Sequence, residues 1–309
     1  MTFSIVARDP EIGDFRVPVA SKFLAAGSVV SHARAGVGAI ATQALANYSY
    51  GPDGLELLAT GMSAQQAIDA LTAADEGRDH RQLGIVDAKG GAATYTGKQC
   101  IAWAGGLTAE GVAVQGNILA GPSVVEAMLA AYHRPGRPYA ERLVDALIAA
   151  DDAGGDRRGR QSAAVLVKRD KGGYGGNNDV YIDLRVDDDP SPMRRLAAML
   201  DLVHLYRDRP DPEDLLPLDE ALAAELQNRL TAAGYSPATL PKDNGLARVL
   251  ADTVTERTGD PREAPATWDA QWEAVMAEWI STENLEERMT ARGWIDPKVL
   301  EYLRRVSAG

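Results

Sequence analysis

The sequence predicts an α+β protein: two stacked antiparallel sheets with helices on both outer faces, followed by a small all-α domain. Three observations carry this. Over the first two thirds of the chain, strand-length apolar runs and helical segments follow in the order strands, two helices, strands, two helices, strands, helix. Pro and Gly punctuate the strand pairs as hairpins, not as βαβ crossovers. Beyond about residue 207 the strand pattern stops and only helical periodicity remains.

The elements follow in order. Residues 3–7 and 15–20 are strands around a turn that carries Pro10 and Gly13. Residues 36–42, Gly-Val-Gly-Ala-Ile-Ala-Thr, are small and apolar and predict a buried strand with close neighbours. A helix over 51–60 carries Leu55, Leu57 and Leu58. Ser63 is the expected N-cap of a second helix over 64–74, with Ala67, Ile68 and Leu71 on one face. Strands are expected at 82–87, 92–96 and 111–115, the last ending in Gly116-Asn117. Helices follow at 123–132 and 139–150. Strands at 162–168 and 180–186 enclose a glycine-rich loop at 172–176, and a helix over 193–206 closes the region. The expected organisation is therefore a domain over 1–207, a charged and proline-punctuated linker over 208–217, and a helical domain over 218–309. Its helices are expected at 218–233, 246–257, 268–280, 282–289 and 297–306. Trp268, Trp272 and Trp279 recur at spacings of four and seven, which suits one buried helical face better than a carbohydrate-stacking surface.

Composition narrows the function. A hydrophobic content of 45% and a charged content of 25% are those of an ordinary globular chain. The net charge of −12 argues against a nucleic-acid or anionic-membrane partner. It leaves open a small anionic substrate bound by a local Arg cluster. Cys100 is the single cysteine, so no internal disulfide forms. The four histidines have no metal-ligand spacing, and neither a metal nor a cofactor is expected. Without a charged-then-apolar leader the expected location is cytoplasmic. A tryptophan-bearing helical face is an expected self-association surface, so a homo-oligomer is expected.

The chemistry-bearing residues lie at strand ends. Thr2 opens the first strand. With residue 1 removed it holds a hydroxyl and an α-amine that titrates at roughly 7.7–8.0, so the amine can act as base for its own side chain. Read alone, Thr2 also simply follows an initiator methionine. Ser21-Lys22 ends the second hairpin strand and would lie beside Thr2, where a lysine favours a deprotonated neighbour; alternatively Lys22 is an exposed strand end. Gly116-Asn117 is either a turn or an oxyanion hole made of a backbone N–H and an amide. Gln43 and Asn47 follow the buried strand and could add amide contacts to a substrate. The run Gly154-Gly155-Asp156-Arg157-Arg158-Gly159-Arg160-Gln161-Ser162 leads straight into a strand. Arg157 and Arg160 offer fork-shaped donors for a carboxylate, with Asp156 as acceptor or anchor; the alternative is a solvated basic turn.

Together the segments 2–7, 19–22, 35–39, 41–43, 49–52, 114–117 and 154–164 resemble domain-of-unknown-function family ten twenty-eight, of the N-terminal nucleophile (Ntn) hydrolase superfamily. The resemblance spans about the first 207 residues, and the Gly-Gly-Asp-Arg-Arg-Gly-Arg-Gln-Ser run is its strongest signature. It implies a four-layer αββα sandwich and a Thr2 nucleophile freed at its amine. It also sets Ser21 at a strand-end position where proteasome-like relatives carry an acid. Segments 226–235, 282–288 and 293–297 resemble a peptidoglycan-binding-like domain often fused to this family. The expected function is hydrolysis of a small amide or ureido substrate that carries a carboxylate. The alternative is a non-catalytic glycan-binding, peptidoglycan-binding or assembly protein on the same fold.

Overall fold

The computed structural model describes residues 2–136, 139–173, 176–240 and 262–307, and the chain forms two compact units, Met1–Leu200 and Asp201–Gly309. The predicted helix over 246–257 and the middle of the 172–176 loop lie outside the described residues.

The first unit contains two antiparallel sheets. The six-stranded sheet holds β1 (Thr2–Arg8), β2 (Phe15–Ser21), β7 (Gly105–Ala109), β8 (Val112–Asn117), β9 (Ser162–Lys168) and β10 (Val180–Val186), in the order β10-β9-β2-β1-β8-β7. The four-stranded sheet runs in chain order through β3 (Ser31–Arg34), β4 (Gly38–Ala44), β5 (Arg81–Asp87) and β6 (Ala92–Thr96). The sheets stack, with β1 against β4 and β8 against β5. Helices α2 (Tyr50–Ala59) and α3 (Ala64–Ala73) cover the outer face of the smaller sheet. Helices α4 (Ser123–Tyr132) and α5 (Tyr139–Asp152) cover the outer face of the larger. The architecture is the expected αββα sandwich. A one-turn α1 (Gly27–Val30) precedes β3, and α6 (Pro192–Arg207) follows β10.

Period-two alternation explains the layers. In β4, Ile40 faces the helices, with Leu55, Leu58 and Ile68, while Ala39 and Ala41 face the larger sheet, with Val6, Val17 and Val19. Both faces of β4 are covered, so its first four residues read as continuously apolar. Small residues such as Ala39, Ala41, Ala113 and Ala164 line the space between the sheets. Ser63 caps α3 as expected, in a reciprocal capping box with Gln66 worth about 1 kcal/mol.

Three elements depart from the sequence reading. The strand expected at 36–42 begins at Gly38, because Gly36 occupies the turn after β3 with φ +72°. The short strands β3 and β7 carry no apolar alternation and were not expected.

In the second unit, β11 (Leu216–Pro217) pairs with β12 (Trp294–Ile295). Helices α7 (Glu220–Ala232), α8 (Ala270–Thr282) and α9 (Pro297–Val306) begin at Asp219, Asp269 and Asp296, whose carboxylates accept from first-turn N–H groups. The tryptophans build the core: Trp268 and Trp279 are fully buried, and Trp272 stacks on Trp268 with ring centroids 6.2 Å apart. The helix expected over 282–289 is instead a 3₁₀ turn, Glu286–Arg288, because Asn284 adopts φ +60° and ends α8.

Candidate active site

The register of β1 sets the site. Thr2 lies opposite Ser21 on one side and Asn117 on the other, and Ser21 lies opposite Ser162. Residues directly opposite on neighbouring strands share a face. Four adjacent strands thus present Asn117, Thr2, Ser21 and Ser162 in a row at one end of the sheet, all buried. The hydroxyls of Thr2 and Ser21 are 3.0 Å apart and either can donate. Ser162 fixes the turn after Ser21: its hydroxyl donates to the Phe23 carbonyl and accepts from the Ala26 N–H.

Beneath this row lies a network of neutral side chains from both sheets. The Ser4 hydroxyl donates to Gln43 Oε1 at 2.7 Å and accepts from Gln115 Nε2 at 2.7 Å. Gln43 Nε2 donates to Gln82 Oε1 at 2.9 Å and to the Thr2 carbonyl at 3.3 Å. Asn117 Nδ2 also donates to Gln82 Oε1, at 2.9 Å. Gln82 Nε2 in turn donates to the Gly116 carbonyl at 2.7 Å and to Thr96 Oγ1 at 2.9 Å. Gln82 is the node through which the smaller sheet holds the ends of β1 and β8. Gly84 makes room for this layer, since a Cβ there would sit 2.0 Å from Gln115 Oε1.

The arginine run docks at the same end. Asp156 Oδ2 accepts from the Lys22 N–H at 2.8 Å, and Asp156 Oδ1 accepts from the Arg158 N–H at 2.8 Å. The Gln161 N–H donates to the Ser21 carbonyl, and Asp156 bridges to Leu119, two residues past Asn117. Gly154 and Gly155, at φ +113° and +43°, permit this approach. Arg157 is exposed and donates to the Ala102 carbonyl at 3.4 Å.

The structure therefore gathers Thr2, Ser21, Gln43, Gly116, Asn117, Asp156, Arg157 and Gln161 at one end of the sandwich. Three expectations are corrected. Lys22 is exposed, and its backbone N–H is what meets Asp156. Arg160 is engaged from within the chain: its Nε lies 2.8 and 2.9 Å from the Asp151 oxygens, and Asp151 holds the guanidinium more strongly protonated. Asn47 closes its own turn, accepting from the Ser49 N–H through its side chain and from Thr42 through its carbonyl. Sequence reasoning missed Ser4, Gln82, Gln115 and Ser162. The available signal was polar residues set within otherwise apolar strands.

Burial pushes the Cys100 thiol up, and its Sγ–H donates to the Arg81 carbonyl. Among the described residues no group of three His, Cys, Asp or Glu could hold a metal, and no helix is long and apolar enough to cross a membrane.

Comparison with known proteins places these features in context. The model of a family of unknown function, DUF1028, matches residues 2–196. The model of a second family, described as "Putative peptidoglycan binding domain", matches residues 259–303. A crystal structure of a protein from Silicibacter pomeroyi, described as a DUF1028 member, is 32% identical with a TM-score of 0.60, covering 66% of this chain and 89% of that one. The Anbu (Gly-1) mutant from Hyphomicrobium sp. strain MC1 is 13% identical with a TM-score of 0.29, covering 66% and 96%, too slight a likeness to bear on the fold. No curated protein matches the chain.

Proposed function

The chain belongs to the family of unknown function DUF1028, and from that premise we propose that it is an amide-bond hydrolase of the Ntn type whose nucleophile is the Thr2 hydroxyl. The observation that carries this reading is the buried hydroxyl pair, Thr2 Oγ1 and Ser21 Oγ at 3.0 Å, at the first position of a central strand. Once residue 1 is removed, the α-amine of Thr2 is held in the same residue as the hydroxyl it must deprotonate.

The chemistry then follows from the geometry. Thr2 Oγ1 attacks the amide carbonyl while its proton passes to the α-amine, directly or through the Ser21 hydroxyl. Asn117 Nδ2 carries two hydrogens and gives one to Gln82; the second is the donor assigned to the oxyanion. The α-ammonium returns the proton to the leaving nitrogen, the C–N bond breaks, and an ester remains on Thr2. Water, deprotonated by the amine, then releases the acid. Arg157, held at the rim by the Asp156-anchored loop, is the residue assigned to a substrate carboxylate; Arg160 is already engaged by Asp151.

The test is turnover on a panel of small carboxylate-bearing amides and ureido acids. Thr2→Ala should lose all hydrolysis with an unchanged fold, Thr2→Ser should retain part, and a nonremovable N-terminal extension should inactivate. Wild-type turnover by Thr2→Ala would end this reading.

The match over residues 259–303 favours a second reading, in which the helical unit binds peptidoglycan. Retention of the full chain on insoluble peptidoglycan, with no amidase activity, would favour this second reading.

A further inference from the structure

We infer that the Thr2 mouth takes an amphipathic substrate, an amide whose acyl part is an apolar chain of several carbons; this deepens the Thr2 reading and rests on it. The observation is where the sandwich leaves large apolar side chains in water. Among its described residues Phe23, Leu24, Leu45, Tyr48 and Ile101 are exposed by 49% to 65%. Each belongs to a loop that leaves the sandwich at the Thr2 end. Phe23 and Leu24 follow Ser21 after Lys22. Leu45 and Tyr48 follow Gln43, whose amide reaches the Thr2 carbonyl. The Ile101 carbonyl accepts from the N–H of Ile118, one residue past Asn117. The unit's other exposed large apolar residues are dispersed: Ile12 in the opposite hairpin turn, Met62 between α2 and α3, Leu107 within β7.

Single exposed apolar side chains are ordinary, but a group of them at one end of a domain marks a binding surface. These five come from loops of both sheets at the end where Thr2, itself 8% exposed, begins β1. An extended acyl chain fits this arrangement: its carbonyl can reach Thr2 while its methylenes lie on the rim. The same rim carries the Arg157 guanidinium, linked to the Ala102 carbonyl beside Ile101. One end of the ligand is thus expected to be apolar and the other anionic.

Two electrophiles that differ only in their tail test this. β-Propiolactone and its analogue with an octyl chain beside the carbonyl react by the same step. The Thr2 oxygen bonds to the carbonyl carbon, the ring C–O bond breaks, and the ring oxygen takes the proton held by the α-amine. The protein gains the whole mass of the lactone, which peptide mass analysis locates. Each buried methylene should raise the rate about fourfold, so the octyl lactone should label Thr2 at least tenfold faster. Phe23→Ser, Leu45→Ser and Ile101→Ser should each lower that ratio while keeping the thermal midpoint, since these side chains are exposed. Equal labelling of Thr2 by both lactones would overturn the inference and leave the nucleophile standing. No labelling by either, in a chain whose mass lacks residue 1, would overturn both. Serine variants that keep the ratio but change the oligomeric state would make the rim a contact between copies, and the inference would fall.

Discussion

The network beneath the Thr2 hydroxyl is built of neutral side chains, and the Asp156 carboxylate is anchored beside it on the Lys22 N–H. Ser4, Ser21, Gln43, Gln82, Gln115 and Asn117 bond to one another or to Thr2, and all are buried and neutral. On the proposed mechanism the base is the α-amine of Thr2 itself. That amine must be unprotonated to accept the proton, so kcat/KM should fall as pH drops below about 7.7–8.0, with a slope of one. A pH–rate profile with a further ionisation on the acid limb would implicate a charged residue from outside this set. The network also carries stability. Gln82→Leu removes the acceptor of Asn117 Nδ2 and the side-chain donor to the Gly116 carbonyl, and leaves Gln43 Nε2 with its longer bond to the Thr2 carbonyl. Each orphaned group costs about 1–3 kcal/mol, so the thermal midpoint should drop by several degrees in calorimetry. That Thr2, Ser21, Gln43 and Asn117 lie at one end of the sheets was legible because each is a polar residue at the end of an apolar strand. Gln82 was not, since a lone amide at a strand start looks like a solvated end until the facing sheet is known. Arg160 misled because its partner Asp151 sits on the preceding helix, and spacing alone does not reveal that pairing.

At the level of elements, legibility followed burial. The ranges predicted for β6, β9, β10 and α9 match the structure because apolar runs and turn residues bound them sharply. The edge strands β3 and β7 have little apolar surface to bury, so no pattern announces them. Polar ties join elements that apolar packing leaves loose. Tyr50 of α2 donates to Asp75 at 2.8 Å, and Arg81 of β5 reaches the same carboxylate at 2.9 Å. The Arg81 guanidinium holds the Asp75 carboxyl well below the usual carboxylate range, and burial pushes the Tyr50 hydroxyl up. With the folded value depressed, this tie contributes fully above the unfolded value of about 3.9 and is lost as pH falls below it. Asp75→Asn should therefore be less stable than the wild type in urea at pH 6, with the gap narrowing at pH 3. A gap that stays constant would show that the carboxylate's charge plays no part.

On the scale of the whole molecule, each compact unit has its own apolar core, one between and around the sheets, the other around Trp268 and Trp279. A chain ended after Arg207 should thus keep the sandwich and unfold in one cooperative transition seen by circular dichroism. Failure of that chain to fold would mean that the sandwich depends on the helical unit. The change in periodicity expected near residue 207 lies a few residues past the division between the two compact units at Leu200/Asp201. The stacking of two sheets was expected from the element order, but which strands face one another was not, because that rests on pairings between segments far apart in sequence.

The position of β1 between β2 and β8 also imposes an order of events during synthesis. Residue 1 adjoins a threonine that the folded sheet buries on both flanks. A processing peptidase needs that end extended and free. β8 emerges more than a hundred residues after β1. At about 5–20 residues per second, the ribosome leaves the N-terminus open for on the order of ten seconds. On the Thr2 proposal trimming has to precede closure, and chains that close first are expected to keep residue 1 and to be inert. Protein refolded from denaturant with Met1 attached should resist a methionine aminopeptidase that readily trims a free peptide of the same first ten residues.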